Sequence, residues 1–395
     1  MEIFLTVLLA LILWLITDLH TGNKKRKLAP SSSRQKMTGN LTFINDGDDF
    51  FRALINDIDA AVYQIHMMFY IFRDDATGHM IIEHLCQKAT SGVSVYLLVD
   101  YGGSHSLKKA TIRKMTSCGI VFSYSRKISF PRFFTSINER NHRKITVIDG
   151  EIGYVGGFNV GNEYVGKDPK FGYWRDYHLR VTGEAVQGLQ DQFFLDWEES
   201  HSPINKHNVY IPPLETGQHK VSFHITNGNS VEEAFASYID KATTSIIIGS
   251  PYYIPGQTVQ TSLLRALKCG IKVQVILPMR ADHPLVKEAS YEYLVELIRA
   301  GGEVYQYMNG FYHAKVMIID ETLCDIGTAN FDQRSFHING EINCIISTPS
   351  LIVEIKEAIQ KDILQCERLD LKRLQDRTIG NRVLAPLARL FSPFL

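Results

Sequence analysis

A chain of 395 residues is long enough for two domains of ordinary size. Its 42 Lys and Arg balance 42 Asp and Glu, so it lacks the basic excess of a nucleic-acid binder, and no nucleic acid is expected as a partner. Six cysteines stand apart with no C-x-x-C pair, which argues for buried free thiols rather than a disulfide frame or a zinc site.

The first predicted element is a helix. "IFLTVLLALILWLI" (Ile3–Ile16) carries no charge, and its apolar character reaches Leu19, at the short limit for crossing a bilayer. Residues 1–22 are therefore read as a membrane anchor. Lys24, Lys25, Arg26 and Lys27 follow at once, and by the positive-inside rule they keep the rest of the chain cytoplasmic. This predicts a single-pass membrane protein. Residues 23–39, basic and rich in Pro and Ser, read as a tether.

Two similar halves come next, at 40–200 and 222–366. Each has an amphipathic helix, a buried strand, a second helix and a β-branched strand opened by glycine. The first half shows this in "DDFFRALINDIDAAVYQIHMMFYIF" and "SGVSVYLLVD", the second in "NSVEEAFASYIDKATTSIIIGSPYYIP" and "CGIKVQVILP". The class expected is α/β: two duplicated sandwich domains, each a mixed sheet flanked by helices, related by a pseudo-twofold axis. Residues 201–221 read as the linker and 367–395 as a C-terminal tail.

The chemistry is duplicated too. "HRKITVIDGEIGYVGGFN" supplies His142, Lys144, Asp149 and Asn159, and "HAKVMIIDETLCDIGTAN" supplies His313, Lys315, Asp320 and Asn330. His and Lys two apart project from one face of a strand. A hairpin then returns the chain, with Asn beside the His. Gly156, Gly157 and Gly327 are expected to allow a ligand close to the backbone. Each half thus offers one imidazole, one ammonium and one amide, which is half of a phosphate site. Packing the halves together completes it, with one His as nucleophile and the other as acid, Lys and Asn on the non-bridging oxygens, and no metal or cofactor needed.

A nucleophilic His needs an acceptor for its second ring nitrogen. Asp176 in "YWRDYHLRV" and Glu341 in "INGEINCII" are the candidates, each expected to reach back to the His of its own half. Asp149 and Asp320 are counted with the catalytic set, although their place at strand ends also suits structural acceptors.

Other residues have plainer readings. His66 sits in an apolar strand as a core or cleft histidine, and His79 and His178 occupy polar surroundings without a copy in the other half. Tyr252 and Tyr253 end a buried strand, where packing and substrate contact are both open. The basic and aromatic stretch from Ser123 to Arg140 reads as an amphipathic loop among lipid headgroups.

The paired H-x-K-x-x-x-x-D motifs resemble the phospholipase D superfamily. "GGFNVGNEYVGKDPKFGYWRDYHLRVTGEAV", "FYIFRDDATG", "SPYYIPG" and "FSPFL" are similar to bacterial cardiolipin synthases of the shorter, minor type. That resemblance implies transfer of a phosphatidyl group from one phosphatidylglycerol to another through phosphohistidine, with release of glycerol. It also implies His142 as nucleophile, His313 as acid, and Asp176 and Glu341 as the His-orienting carboxylates. The alternative from the same motif is a hydrolase, acting on phospholipid or nucleic acid. A lipid-binding protein without activity is disfavoured, because both copies keep His, Lys and Asn.

Overall fold

The computed structural model describes residues 1–28, 32–33, 36–200, 204, 209–280, 282 and 285–375. A single 16-stranded mixed sheet runs through both halves. From the centre outward, the first half places Met37–Ile44, His178–Thr182, Ile152–Gly156, Ile145–Ile148, Gln64–Phe69, Ser94–Asp100 and Val121–Ser125. The second repeats the order with His219–Asn227, Gly340–Ile346, Leu323–Gly327, Val316–Ile319, Ser245–Gly249, Lys272–Pro278 and Glu303–Tyr307. The two series meet where His219 to Val221 pair antiparallel with Gly39 to Met37. One strand order read outward in both directions from a seam is the pattern of the expected pseudo-twofold duplication.

Helices cover both faces. Ala185–Ser200 and Pro349–Ile363 lie on one side, where Phe193, Trp197, Phe223, Ile355 and Ile359 share a core common to both halves. On the other side each half keeps its own core. Phe50, Leu54 and Ile58 of the helix Gly47–Ala60 serve the first, and Phe235 and Ile239 of Val231–Ile239 serve the second. Local signals set these boundaries. Asp46 caps its helix by accepting from the backbone N–H of Asp48 and Asp49. Gly92 and Gly270 take positive φ at the end of a helix, before the strands that they introduce.

The domain limits expected from sequence shift in three places. The N-terminal helix runs through the basic cluster, from Glu2 to Leu28, so the first part of the expected tether is helical. The expected linker gives up its end to the strand that starts at His219. The expected tail gives up its start to Cys366–Leu369, which pairs with Glu303–Tyr307 at the sheet edge. Residues 29–31 and 34–35 of the tether, 201–203 and 205–208 of the linker, and 376–395 of the tail lie outside the described residues.

Asp149 and Asp320 leave the catalytic set. Both sit at the hairpin turn with a left-handed φ of 50°, a conformation that Asp tolerates better than most residues. Asp149 accepts from the backbone N–H of Val62, Tyr63 and Gln64 at 2.7–2.8 Å. Asp320 does the same for Thr243, Thr244 and Ser245, and also accepts from both threonine hydroxyls. Burial works against the Asp320 carboxylate, but these bonds outweigh it and hold the group well below the usual range. Each aspartate thereby pins its hairpin to the first turn of the neighbouring strand.

Candidate active site

The strand pairs that carry the two motifs meet at one cleft of about 780 Å³. His142, His313, Asn159 and Asn330 all line it, so the structure unites both copies of the motif in one chamber. Lys144 and Lys315 lie fully buried beneath the imidazoles.

The carboxylates cross over. His142 Nδ1 lies 2.9 Å from Glu341 Oε2, and His313 Nδ1 lies 2.6 Å from Asp176 Oδ2. Each imidazole is therefore oriented by the other half, and the expectation of own-half pairing is corrected. The cause is in the backbone. The His142 N–H donates to Gly340 O at 2.9 Å, and the His313 N–H donates to Arg175 O at 2.7 Å. Gly340 and Arg175 immediately precede the two carboxylates, so each short cross-half bridge sets an imidazole beside its acid.

Protein rather than a ligand fills the space at the three glycines, and at Gly327 a Cβ would collide with Asn343 Oδ1. A Cβ on Gly157 would collide with Asp176 Oδ1, and one on Gly156 would stand 2.5 Å from the backbone of His178. The copy of Gly157 is Thr328, whose hydroxyl donates to Glu341 Oε2 at 2.5 Å. Asn339 Nδ2 adds a longer contact of 3.4 Å to the same carboxylate.

Burial dominates the electrostatics. It pushes both His142 and His313 down to about 4, against the opposing pull of their carboxylates. Both imidazoles are thus neutral near pH 7. Burial also lowers both lysines, Lys315 to about 8 and Lys144 well below the usual range. For Asp176 and Glu341 burial is outweighed by the neighbouring Lys and His, and both are held below the ordinary carboxylate range. Two buried carboxylates therefore face two lysines and two imidazoles, an arrangement that gains positive charge when it takes up protons with an anion.

The sequence reading missed several groups around the cleft. Tyr70 meets His142 edge-on at 4.8 Å between ring centroids, and Trp174 lies 4.8 Å from His313. Arg143, between the two motif residues, is fully buried and donates to Asp196 Oδ1 at 2.7 Å and to the backbone oxygen of Glu341 at 3.2 Å. Its copy is Ala314, and that difference within H-x-K was the available signal. A Cβ on Gly340 would stand 2.9 Å from Arg143 Nη1, which gives this glycine its reason. Tyr252 lines the cleft and donates to Asp282 Oδ2 at 2.7 Å, whereas Tyr253 packs in the core and donates to Gln260. His66 is a core residue with Nδ1 3.0 Å from Gln190 Oε1. His178, expected in polar surroundings, is instead buried with its ring 4.4 Å from that of Phe50.

The family model described as "Cardiolipin synthase, PLD-like domain" matches residues 54–171 and again 235–363. Along its whole length the chain is 38% identical to the minor cardiolipin synthase of Bacillus subtilis, and it covers all of that protein. The chain belongs to the phospholipase D-like cardiolipin synthase family. Cardiolipin synthases of Oceanobacillus iheyensis and Staphylococcus aureus are also 38% identical to this family member, over 90% of the chain and 75% and 73% of their own length. Among solved structures, the phosphatidylserine synthase of Haemophilus influenzae shares the fold. It aligns with a TM-score of 0.70 at 14% identity, over 95% of this chain and 99% of that one. This cardiolipin synthase-family enzyme thus carries two copies of the PLD-like unit and one N-terminal helix, Ile3–Arg26, long and apolar enough to cross a membrane.

Proposed function

We propose that this enzyme makes cardiolipin from two phosphatidylglycerol molecules by double displacement at phosphorus in the two-histidine cleft. The observation that carries the reading is the crossed pair His142–Glu341 and His313–Asp176 around one chamber. Each Nδ1–H donates to its carboxylate and leaves Nε2 for the reaction.

In the first step the lone pair of one Nε2 attacks phosphorus, and the P–O bond to the glycerol headgroup breaks. The other imidazole, protonated when the anionic phosphodiester enters, gives its proton to the departing glycerol oxygen. In the second step that imidazole takes the proton from a headgroup hydroxyl of the second phosphatidylglycerol. The resulting oxygen attacks phosphorus, the P–N bond breaks, and cardiolipin leaves. Similarity to the superfamily favours His142 as nucleophile and His313 as acid. The ammonium groups of Lys144 and Lys315 and the amides of Asn159 and Asn330 surround the non-bridging oxygens, where charge develops.

In this reading the N-terminal helix is a single-pass anchor, and Lys24 to Lys27 hold the catalytic halves on the cytoplasmic side. The test is purified full-length protein with phosphatidylglycerol vesicles and products resolved by mass. Cardiolipin and glycerol in equal amounts are expected. Phosphatidic acid without cardiolipin would overturn the transferase in favour of the hydrolase.

A further inference from the structure

The N-terminal helix does not stand clear of the catalytic halves. From Trp14 onward it docks on the segment that leads into the His142 motif. The Trp14 indole N–H donates to Pro131 O at 2.8 Å, and its ring lies 5.5 Å from Phe130 and 5.1 Å from Phe134. Asp18 accepts from the backbone N–H of Phe134 at 2.7 Å, and its carbonyl accepts from the Thr135 hydroxyl at 2.9 Å. A Cβ on Gly22 would collide with Thr135, and Arg26 pairs with Glu139 at 3.0 Å. Four successive turns of the helix are thus clamped to residues 130–139.

This clamp constrains the membrane. The residues ahead of Trp14, 1–13, span only about 20 Å at the rise of an α-helix, against about 30 Å of hydrocarbon in a bilayer. If the helix crosses, the layer must extend down past Trp14 and take in whatever packs beside it. What packs there is built for that place. Phe130 is 82% exposed, Phe133 39% and Ile137 46%. Phe133 and Ile137 stand four apart on one face of the short helix Phe133–Asn138. Ile137 and Arg140 already line the catalytic cleft. Lys25, Lys127 and Arg132 border a small pocket beside the same segment, at the level where anionic headgroups would lie.

We propose that residues 126–140 form a membrane-embedded threshold to the active site. Phe130, Phe133 and Ile137 enter the acyl boundary of the leaflet from which the anchor emerges. Lys25, Lys127 and Arg132 meet anionic phospholipid headgroups. An anionic lipid then moves along the Phe133–Ile137 face into the cleft without crossing water. The proposal rests on reading the N-terminal helix as an anchor and the cleft as a lipid site.

The test uses the full chain in phosphatidylglycerol vesicles, with nitroxide labels and collision accessibility to oxygen and to a water-soluble nickel chelate. The naturally exposed Cys269 gives the aqueous reference. Labels at Phe130→Cys and at Leu9→Cys, each with Cys269→Ser, report on the threshold and the anchor separately. The Phe130 label is expected to be reached by oxygen and hidden from nickel. Nickel access equal to that at Cys269 would overturn the threshold, and so would shielding from both reagents, the sign of a second copy on this face. A lipid-exposed Leu9 label beside a watery Phe130 label overturns the threshold and spares the anchor; water at both overturns the two together. As a functional readout, Phe130→Ser with Phe133→Ser should cost about tenfold or more in turnover on vesicles and less than about twofold on detergent-dispersed phosphatidylglycerol. Unchanged turnover on vesicles would contradict the proposal, while loss of the chemistry in the unsubstituted enzyme would strike the transferase reading alone.

Discussion

The two halves contribute the same three functional groups but support them differently. Around His142 the carboxylate is the longer Glu341, and the hydroxyl of Thr328 holds it at 2.5 Å. Around His313 it is the shorter Asp176, and Gly157 stands where Thr328 stands in the other copy, with Asp176 filling the space above it. Glycine with aspartate and threonine with glutamate are two solutions to one packing problem. The cationic side differs as well. Each lysine donates to the backbone oxygen of its own histidine, but Lys315 Nζ also lies against the ring, 2.5 Å from Nδ1 and 3.1 Å from Nε2 of His313. A duplicated motif has thus become two unequal half-sites, as suits a reaction that asks one imidazole to attack and the other to carry a proton.

The largest test of this comparison removes an imidazole. His142→Ala and His313→Ala should each lower cardiolipin formation by about 10⁴-fold or more, because the two act as a unit. Near-normal turnover in either variant would break the joint site. Next come the orienting acids, where Asp176→Asn and Glu341→Gln should each cost about 10²- to 10⁴-fold. The crossing makes a sharper claim for resonance titration of the ring nitrogens: Asp176→Asn should move the His313 signals and leave those of His142 in place. The opposite result would restore own-half pairing.

The pH profile probes the cationic side. The reactive form has one imidazole neutral and the other protonated, so with His142 and His313 both at about 4 kcat/KM should be greatest on the acid side and fall as pH rises. The fall should steepen above about 8, where Lys315 loses its proton. Lys315→Arg should push the alkaline limb upward, and an unmoved limb would assign it to another group.

The packing pairs give smaller effects. Gly157→Ala should destabilise the protein by about 1–3 kcal/mol through overpacking against Asp176, and Thr328→Val should cost a similar 1–3 kcal/mol through the lost bond to Glu341. Thermal unfolding with turnover measured alongside checks both. Asp149→Ala and Asp320→Ala should lower stability by about 1–3 kcal/mol each while kcat stays within about twofold of the parent. A large loss of kcat at constant stability would return these aspartates to the catalytic set.

Much of this was legible in the chain itself. Repeated spacing identified His142, Lys144 and Asn159 with their copies His313, Lys315 and Asn330, because a strand and its hairpin place such residues by local geometry alone. The duplication of the α/β unit followed from the repeated helix and strand pattern, while the strand order did not. The crossed carboxylates were not legible in the same way. Asp176 and Glu341 stand out as acids on apolar strands, but their partners are chosen by the bridges Asn141–Gly340 and Tyr312–Arg175 across the halves, and no local pattern encodes those. The same limit hid Tyr70, Trp174 and Arg143, whose places depend on packing between distant segments. Asp149 and Asp320 failed in the opposite direction. They belong to the motif by spacing, and only the fold reveals that their bonds go to the start of the neighbouring strand.

The account turns on two half-sites acting as one centre with a single covalent histidine. The most direct measurement is the mass of the protein after a rapid alkaline quench of its reaction with phosphatidylglycerol, followed by peptide mapping. One phosphatidyl group per chain, carried on His142 and absent from His142→Ala, is the result predicted. Adducts on both histidines, or cardiolipin formed at the normal rate with none on either, would contradict it.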